Sequence, residues 1–139
     1  MQYLMLLYAD ESATTEFTAE DMTRAMNIMG AYNEVLKKAG ALVMTAPLQQ
    51  TDEARTVRME GGTVDIGTFA QTGGELRVHD GPYAETREQL GGFYLINAAS
   101  MQEALDWAAK CPAAQWGSIE VRELFSDYVD APGMLLPGA

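Results

Sequence analysis

Cysteine, histidine and basic side chains are all scarce in this 139-residue chain, which has one Cys, one His and nine Lys or Arg against 20 Asp or Glu. A single thiol forms no intrachain disulfide, which fits a reducing compartment and sets the expectation of a cytoplasmic protein. That thiol, Cys111, follows Lys110 at an expected helix end and precedes Pro112. A helix C-terminus does not favour a thiolate, so Cys111 reads as a small packing residue. One His and no Cys-x-x-Cys leave no zinc set, no loop has calcium spacing, and no cofactor is expected. The net charge of −11, with Lys37-Lys38 the only basic pair, provides no basic face for nucleic acid. It also opposes an anionic lipid surface. No apolar run approaches membrane-spanning length. Met1-Gln2-Tyr3-Leu4 puts no basic residue ahead of the first apolar run, so a signal peptide is not expected. The acidic surface is compatible with a basic protein partner, and solubility is the simpler reason for it.

What is present is a foldable chain of one domain's length, 47% hydrophobic and 21% charged. Tyr3–Tyr8 is a six-residue apolar run closed by Asp10, the pattern of a strand apolar on both faces. Thr18-Ala19-Glu20-Asp21 is a capping sequence, and Met22, Ala25, Met29, Tyr32, Leu36 and Ala39 recur at helical spacing until Gly40. Ala41–Ala46 is a second strand, stopped by Pro47. Thr56–Glu60 and Thr63–Phe69 flank Gly61-Gly62 as a two-residue hairpin would, Gln71–Gly74 reads as another turn, and Glu75–His79 as a short strand. Phe93–Ile96 is again apolar on both faces. Ser100-Met101-Gln102-Glu103 opens a second helix with Met101, Ala104, Leu105 and Ala108 on one face, and Pro112 breaks it. Ile119–Leu124 is the last strand. The tail Ala131–Ala139, with two Pro and two Gly, has no regular pattern, and its Met134-Leu135-Leu136 is expected to dock on the body or on a neighbouring subunit.

The order β-α-β, hairpin, β-α-β predicts an α+β, ferredoxin-like sandwich, with two helices on one face of an antiparallel sheet. Two strands apolar on both faces leave one sheet face uncovered. A monomer does not tolerate so large an apolar patch, so a homodimer packed sheet to sheet is expected.

The densest chemistry lies in His79-Asp80-Gly81-Pro82-Tyr83-Ala84-Glu85-Thr86-Arg87-Glu88-Gln89-Leu90-Gly91-Gly92-Phe93. Asp80, held by a Gly-Pro turn and shielded by Tyr83, suits a general base or substrate anchor. It equally suits a turn-capping acid, with Gly81 supplying the conformation. His79 and Asp80 form a dyad only if the strand has already ended, because neighbouring strand residues point to opposite faces. Arg77, Tyr83 and Arg87 are the candidates for orienting a ligand beside His79. Glu85, Arg87 and Glu88 also fit one helical turn with a solvated face. Gly91-Gly92 precedes a strand rather than a helix, so a bulge or close backbone approach fits better than a phosphate cradle. The nine Met are mostly at helix-face spacing and so read as core.

The stretch Asp80–Phe93 resembles the Asp-Gly-Pro-Phe signature of the YCII-related domain family, followed by Ala-Glu-Thr, a basic residue and Glu-Gln-Leu-Gly-Gly. Met1–Asp10, the long first helix and Glu103–Pro112 are also in the family's style, so the resemblance spans a domain at 1–126 and leaves the tail 127–139 outside. It implies a dimeric α/β-barrel fold and a gene neighbourhood that often includes extracytoplasmic-function sigma factors. Tyr83 stands where Phe is usual and Arg87 where Lys is common, and Thr63–Glu75 looks like an insertion. Other branches carry a His–Asp acid–base pair whose His lies in the first helix region; this chain has no His there, so that pair is not transferred. The superfamily's haem-ligating His has no further support here.

Two readings remain. One is a small-molecule binding domain with its cleft near Asp80-Gly81-Pro82-Tyr83 and acid–base catalysis by Asp80. The other is a non-catalytic dimeric accessory or regulatory protein linked to a sigma factor.

Overall fold

The structure, a computed structural model, describes residues 1–125; residues 126–139, including the apolar triplet expected to dock, lie outside the described residues. The chain divides into two compact units, Met1–Leu48 with Arg87–Ala139, and Gln49–Thr86.

The first unit carries strands β1 (Gln2–Ala9), β2 (Leu42–Pro47), β5 (Gln89–Asn97) and β6 (Gly117–Glu123), and helices α1 (Ala19–Lys38) and α2 (Met101–Lys110). Its antiparallel sheet has the order β2-β5-β1-β6. This is the expected α+β ferredoxin-like arrangement. The local signals explain the helices. Thr18 Oγ1 accepts from the Asp21 amide at 3.1 Å and the Asp21 carboxylate accepts from the Thr18 amide at 3.0 Å, which closes a capping box at α1. Gly40 ends α1 at φ +72°, a backbone position that disfavours side chains. Ser100 caps α2 by accepting from the Glu103 amide, and Glu103 accepts from Ala99.

Both helices cover one sheet face. Tyr3 and Met5 of β1 and Tyr94 and Ile96 of β5 form the core with Tyr32, Leu36, Ala104, Ala108 and Cys111. Inter-helix contact is fixed by the Tyr32 hydroxyl, which donates to the Trp107 carbonyl at 2.6 Å and so satisfies a terminal carbonyl of α2. Burial pushes the Cys111 thiol up from its ordinary value, as befits a packing residue. Four expected helix-face residues, Met22, Ala39, Met101 and Leu105, are exposed. Met22 is exposed, because the first turn of α1 runs beyond the core. On α2, Trp107 packs inward while Met101 and Leu105 face solvent, since Ala104, Ala108 and Trp107 define the inner stripe.

The opposite sheet face carries Leu4, Leu6, Phe93, Leu95, Met44 and Ala46, by the register Leu4–Leu95, Leu6–Phe93, Met44–Leu95 and Ala46–Phe93. Neither helix core includes them.

The second unit is a β-hairpin of β3 (Arg55–Val64) and β4 (Gln71–Asp80). The sequence misplaced its turn. Gly61-Gly62 and Gln71–Gly74 lie within the paired strands, and the reversal is at residues 65–70. There the Asp65 carboxylate accepts from the Gly67 and Thr68 amides at 2.8 and 2.9 Å, which closes the loop locally and holds the Asp65 carboxyl below its usual range. The glycines serve strand proximity instead: a Cβ on Gly74 would stand 3.0 Å from Gly62 Cα. Residues 85–88, read as a helical turn, form no helix, because Pro82 and the entry into β5 at Gln89 leave no room for one.

Candidate functional site

A cleft of about 400 Å³ opens in the first unit, between α1 and one end of the sheet. Strand β1 contributes Leu7, Tyr8 and Ala9, and β2 contributes Thr45, Ala46 and Pro47. Helix α1 supplies Ala25, Met26, Met29 and Asn33 at helical spacing, one face turned to the sheet. Ala113, in a short 3-10 turn (Pro112–Gln115), and Trp116, half exposed, complete the wall. No Asp, Glu, Lys, Arg or His is among these lining residues.

The last three residues of the signature stretch, Gly91, Gly92 and Phe93, also line the cleft. Leu7 pairs with Gly92 and Tyr8 with Leu90, so Gly91 is the extra residue of a β-bulge. Gly92 lies on the helix-facing side opposite Leu7, and a Cβ there would stand 3.2 Å from the Ala46 carbonyl oxygen. The pair therefore bends β5 and lets β2 approach closely, the bulge reading of the sequence. The absent side chains also leave the sheet low beneath α1, which is where the cleft lies.

One corner of this apolar space is polar. The Tyr94 hydroxyl donates to Asn33 Oδ1, and the Thr45 hydroxyl donates to the Phe93 carbonyl at 2.9 Å. Burial, with Cys111 nearby, pushes the Tyr94 phenol above its ordinary value, so it stays protonated and able to donate. Tyr32 stands edge-on to Tyr94, ring centroids 5.5 Å apart, and fixes its orientation.

The five residues singled out from sequence lie elsewhere, and four of them are in the hairpin unit. Asp80 ends β4 and its carboxylate meets Arg55 Nε at 3.1 Å, its side chain 86% exposed. His79 pairs across with Thr56 while Asp80 pairs with Arg55, so the two point to opposite faces and form no dyad. Arg77 is held by Glu60 and Glu75, each at 3.1 Å. Tyr83 is 83% exposed. Arg87 belongs to the first unit, where its Nε meets Asp10 Oδ2 at 3.2 Å. Hydrogen bonds from Ser12 first, then Arg87, hold the Asp10 carboxyl below its usual range. Asn33, Thr45 and Tyr94 were not anticipated as a group. Asn33 is a polar residue between the helical core positions Met29 and Leu36, and that was the available signal. Among the described residues, no cluster of three or more His, Cys, Asp or Glu could hold a metal ion, and no helix is long and apolar enough to cross a membrane.

Comparison with known proteins agrees with the signature. Residues 1–126 match the YCII-related domain family. An uncharacterized protein of Rhizobium meliloti (strain 1021) is 41% identical over 126 residues, covering 89% of this chain and 92% of the relative. With the ferredoxin-like sheet, the bulged Gly-Gly end of the signature and this match in hand, the chain belongs to the YCII-related domain family.

Proposed function

We propose that this chain binds a small apolar molecule in the cleft between α1 and the β1-β2-β5 end of the sheet. The observation that supports the reading is the cleft itself. Its volume, about 400 Å³, is that of a small-ligand site, and its lining is apolar apart from one polar corner. Burying an apolar ligand there is favourable, whereas a charged one would lose hydration with no counter-ion among the described lining residues.

The reading includes a homodimer. Leu4, Leu6 and Phe93 are half-buried and Met44 is 45% exposed on the face away from the helices. A contiguous apolar face of this kind is covered in stable proteins, and a second sheet fits it. Leu6→Lys would place a charge at its centre. Sedimentation should then show monomer for the variant and dimer for the parent; a monomeric parent removes this part of the reading.

Acid–base chemistry at Asp80 is the second reading. Its exposed carboxylate, oriented by Arg55, is open to a substrate. A non-catalytic accessory role beside a sigma factor is the alternative to both.

The test is a thermal-shift screen of apolar and aromatic metabolites on the parent, Ala25→Trp and Asp80→Asn. Ligands that bind the folded state raise the melting temperature by mass action. Hits lost in Ala25→Trp, which fills the cleft, and kept in Asp80→Asn support the cleft alone. Loss in a folded Asp80→Asn would assign the site to the signature acid. Absence of any hit sinks the ligand reading and leaves the accessory role.

A further inference from the structure

We propose that Asn33 is the specificity-determining residue of the cleft and that it selects an uncharged ring compound bearing a carbonyl oxygen. This rests on the reading of the cleft as a ligand site.

Three observations carry it. First, Asn33 Oδ1 is occupied by the Tyr94 hydroxyl. The carboxamide's other end, its NH2, is a donor only. Among the described residues no hydrogen bond is made by Asn33 Nδ2, although Asn33 lines the cleft. Asn33 thus brings to the cleft wall an amide donor with no partner among the described residues. Second, Tyr94 cannot swing away to release the amide. It is 3% exposed, packed edge-on against Tyr32, and set in the centre of the sheet opposite Met5. Tyr94 is a positioning residue for Asn33. Third, the remaining wall is aliphatic, aromatic or backbone, with Met29 beside Asn33 on α1 and Trp116 at the rim.

A ligand that satisfies this arrangement has an apolar body and an acceptor at one point. A carboxylate or phosphate also accepts, but among the described residues no cation lines the cleft to offset its desolvation, and the chain's net charge of −11 opposes an anion. A plain hydrocarbon fills the space and leaves the Asn33 amide desolvated without a partner. A neutral ketone, lactone or similar carbonyl meets both demands. At about 30 Å³ per water, about 400 Å³ corresponds to about 13 waters, room enough for a two-ring molecule.

The experiment uses three bicyclic probes: α-tetralone, tetralin and 1-naphthoate. Binding is followed on the full chain by nitrogen-15 NMR. The Trp116 indole N–H reports occupancy of the cleft, and the Asn33 side-chain NH2 pair reports the hydrogen bond. Expected is that tetralone and tetralin both move the Trp116 signal, that only tetralone moves the Asn33 pair, and that tetralone binds about five- to tenfold tighter. In Asn33→Leu that preference should vanish while tetralin affinity is retained, and in Tyr94→Phe it should shrink because the amide loses its anchor. Equal affinity for tetralone and tetralin, with Trp116 responding to both, overturns the role of Asn33 and leaves the cleft reading intact. Tightest binding by 1-naphthoate overturns the neutral-ligand assignment. A Trp116 signal indifferent to all three overturns the cleft reading itself. The wild-type Asn33 signal decides the matter even if a variant fails to fold.

Discussion

Gly117→Ala should damage the fold and the cleft together. Gly117 is the first residue of β6 and pairs with Ala9. A Cβ placed on it would lie 2.0 Å from the Tyr8 carbonyl oxygen and 3.1 Å from the Tyr8 carbonyl carbon. Ordinary carbon–oxygen contact is more than an ångström longer, and the obstacle is backbone, which cannot rotate away as a side chain can. Either β6 moves off β1 at its first rung or the β1 backbone yields. Overpacking of this kind costs about 1–3 kcal/mol, and losing one ladder hydrogen bond adds about 1 kcal/mol. A total near 3 kcal/mol is therefore expected. With a urea slope of about 1.5 kcal/mol/M, the unfolding midpoint should fall by about 2 M. Tyr8, Ala9 and Trp116 also line the cleft, so ligand affinity should fall in the same variant. Gly91→Ala is the control, because its Cβ would come no closer than 4.0 Å to the Leu7 carbonyl oxygen. A Gly117→Ala midpoint indistinguishable from that of Gly91→Ala would refute the reasoning and show that the strand end absorbs the displacement freely.

Tyr32→Phe removes the hydroxyl that serves the Trp107 carbonyl at 2.6 Å and should cost about 1–2 kcal/mol, read by urea unfolding, with the Tyr32–Tyr94 ring contact retained. Thr18→Ala opens the capping box of α1 and should cost about 1 kcal/mol in the same assay, more than Thr15→Ala, which lies outside it. Alkaline pH should destabilise the fold, because burial raises the Tyr32 and Tyr94 phenols and the Cys111 thiol above their unfolded values. The unfolded chain gives up these protons first, so their contribution is whole below about pH 8.5 and is lost as pH rises past about 10 toward the folded values. Ultraviolet absorbance should show these two tyrosines ionising only with unfolding; free titration of all six near pH 10 in the folded chain would contradict it.

The order of elements was legible in the chain, because each element carries its own local physics. The run from Tyr3 to Tyr8 reads as a strand apolar on both faces, Thr18 and Ser100 start helices through their own hydroxyls, and Gly40 and Pro112 stop them through backbone geometry. The α+β class and the ferredoxin-like sheet follow from that order. Even the Gly91-Gly92 bulge was legible, since a glycine pair entering a strand has few structural uses. Local pattern misled where long-range approach decides. The hairpin glycines read as a turn, but they permit two strands to meet closely, and the reversal belongs to Asp65 and the amides it gathers.

The cleft itself was not legible in the sequence, because it arises from packing between elements. Charge density drew attention to His79, Asp80, Arg77, Tyr83 and Arg87, yet these side chains are separately paired or exposed. The cleft instead gathers Leu7, Asn33, Thr45, Gly92 and Tyr94 from four elements. Residues 33 and 94 are 61 positions apart, and no spacing rule links them. Strand register and helix packing bring the Asn33 amide to the Tyr94 hydroxyl, because a cavity and a directed hydrogen bond are properties of distances between elements rather than of any one segment.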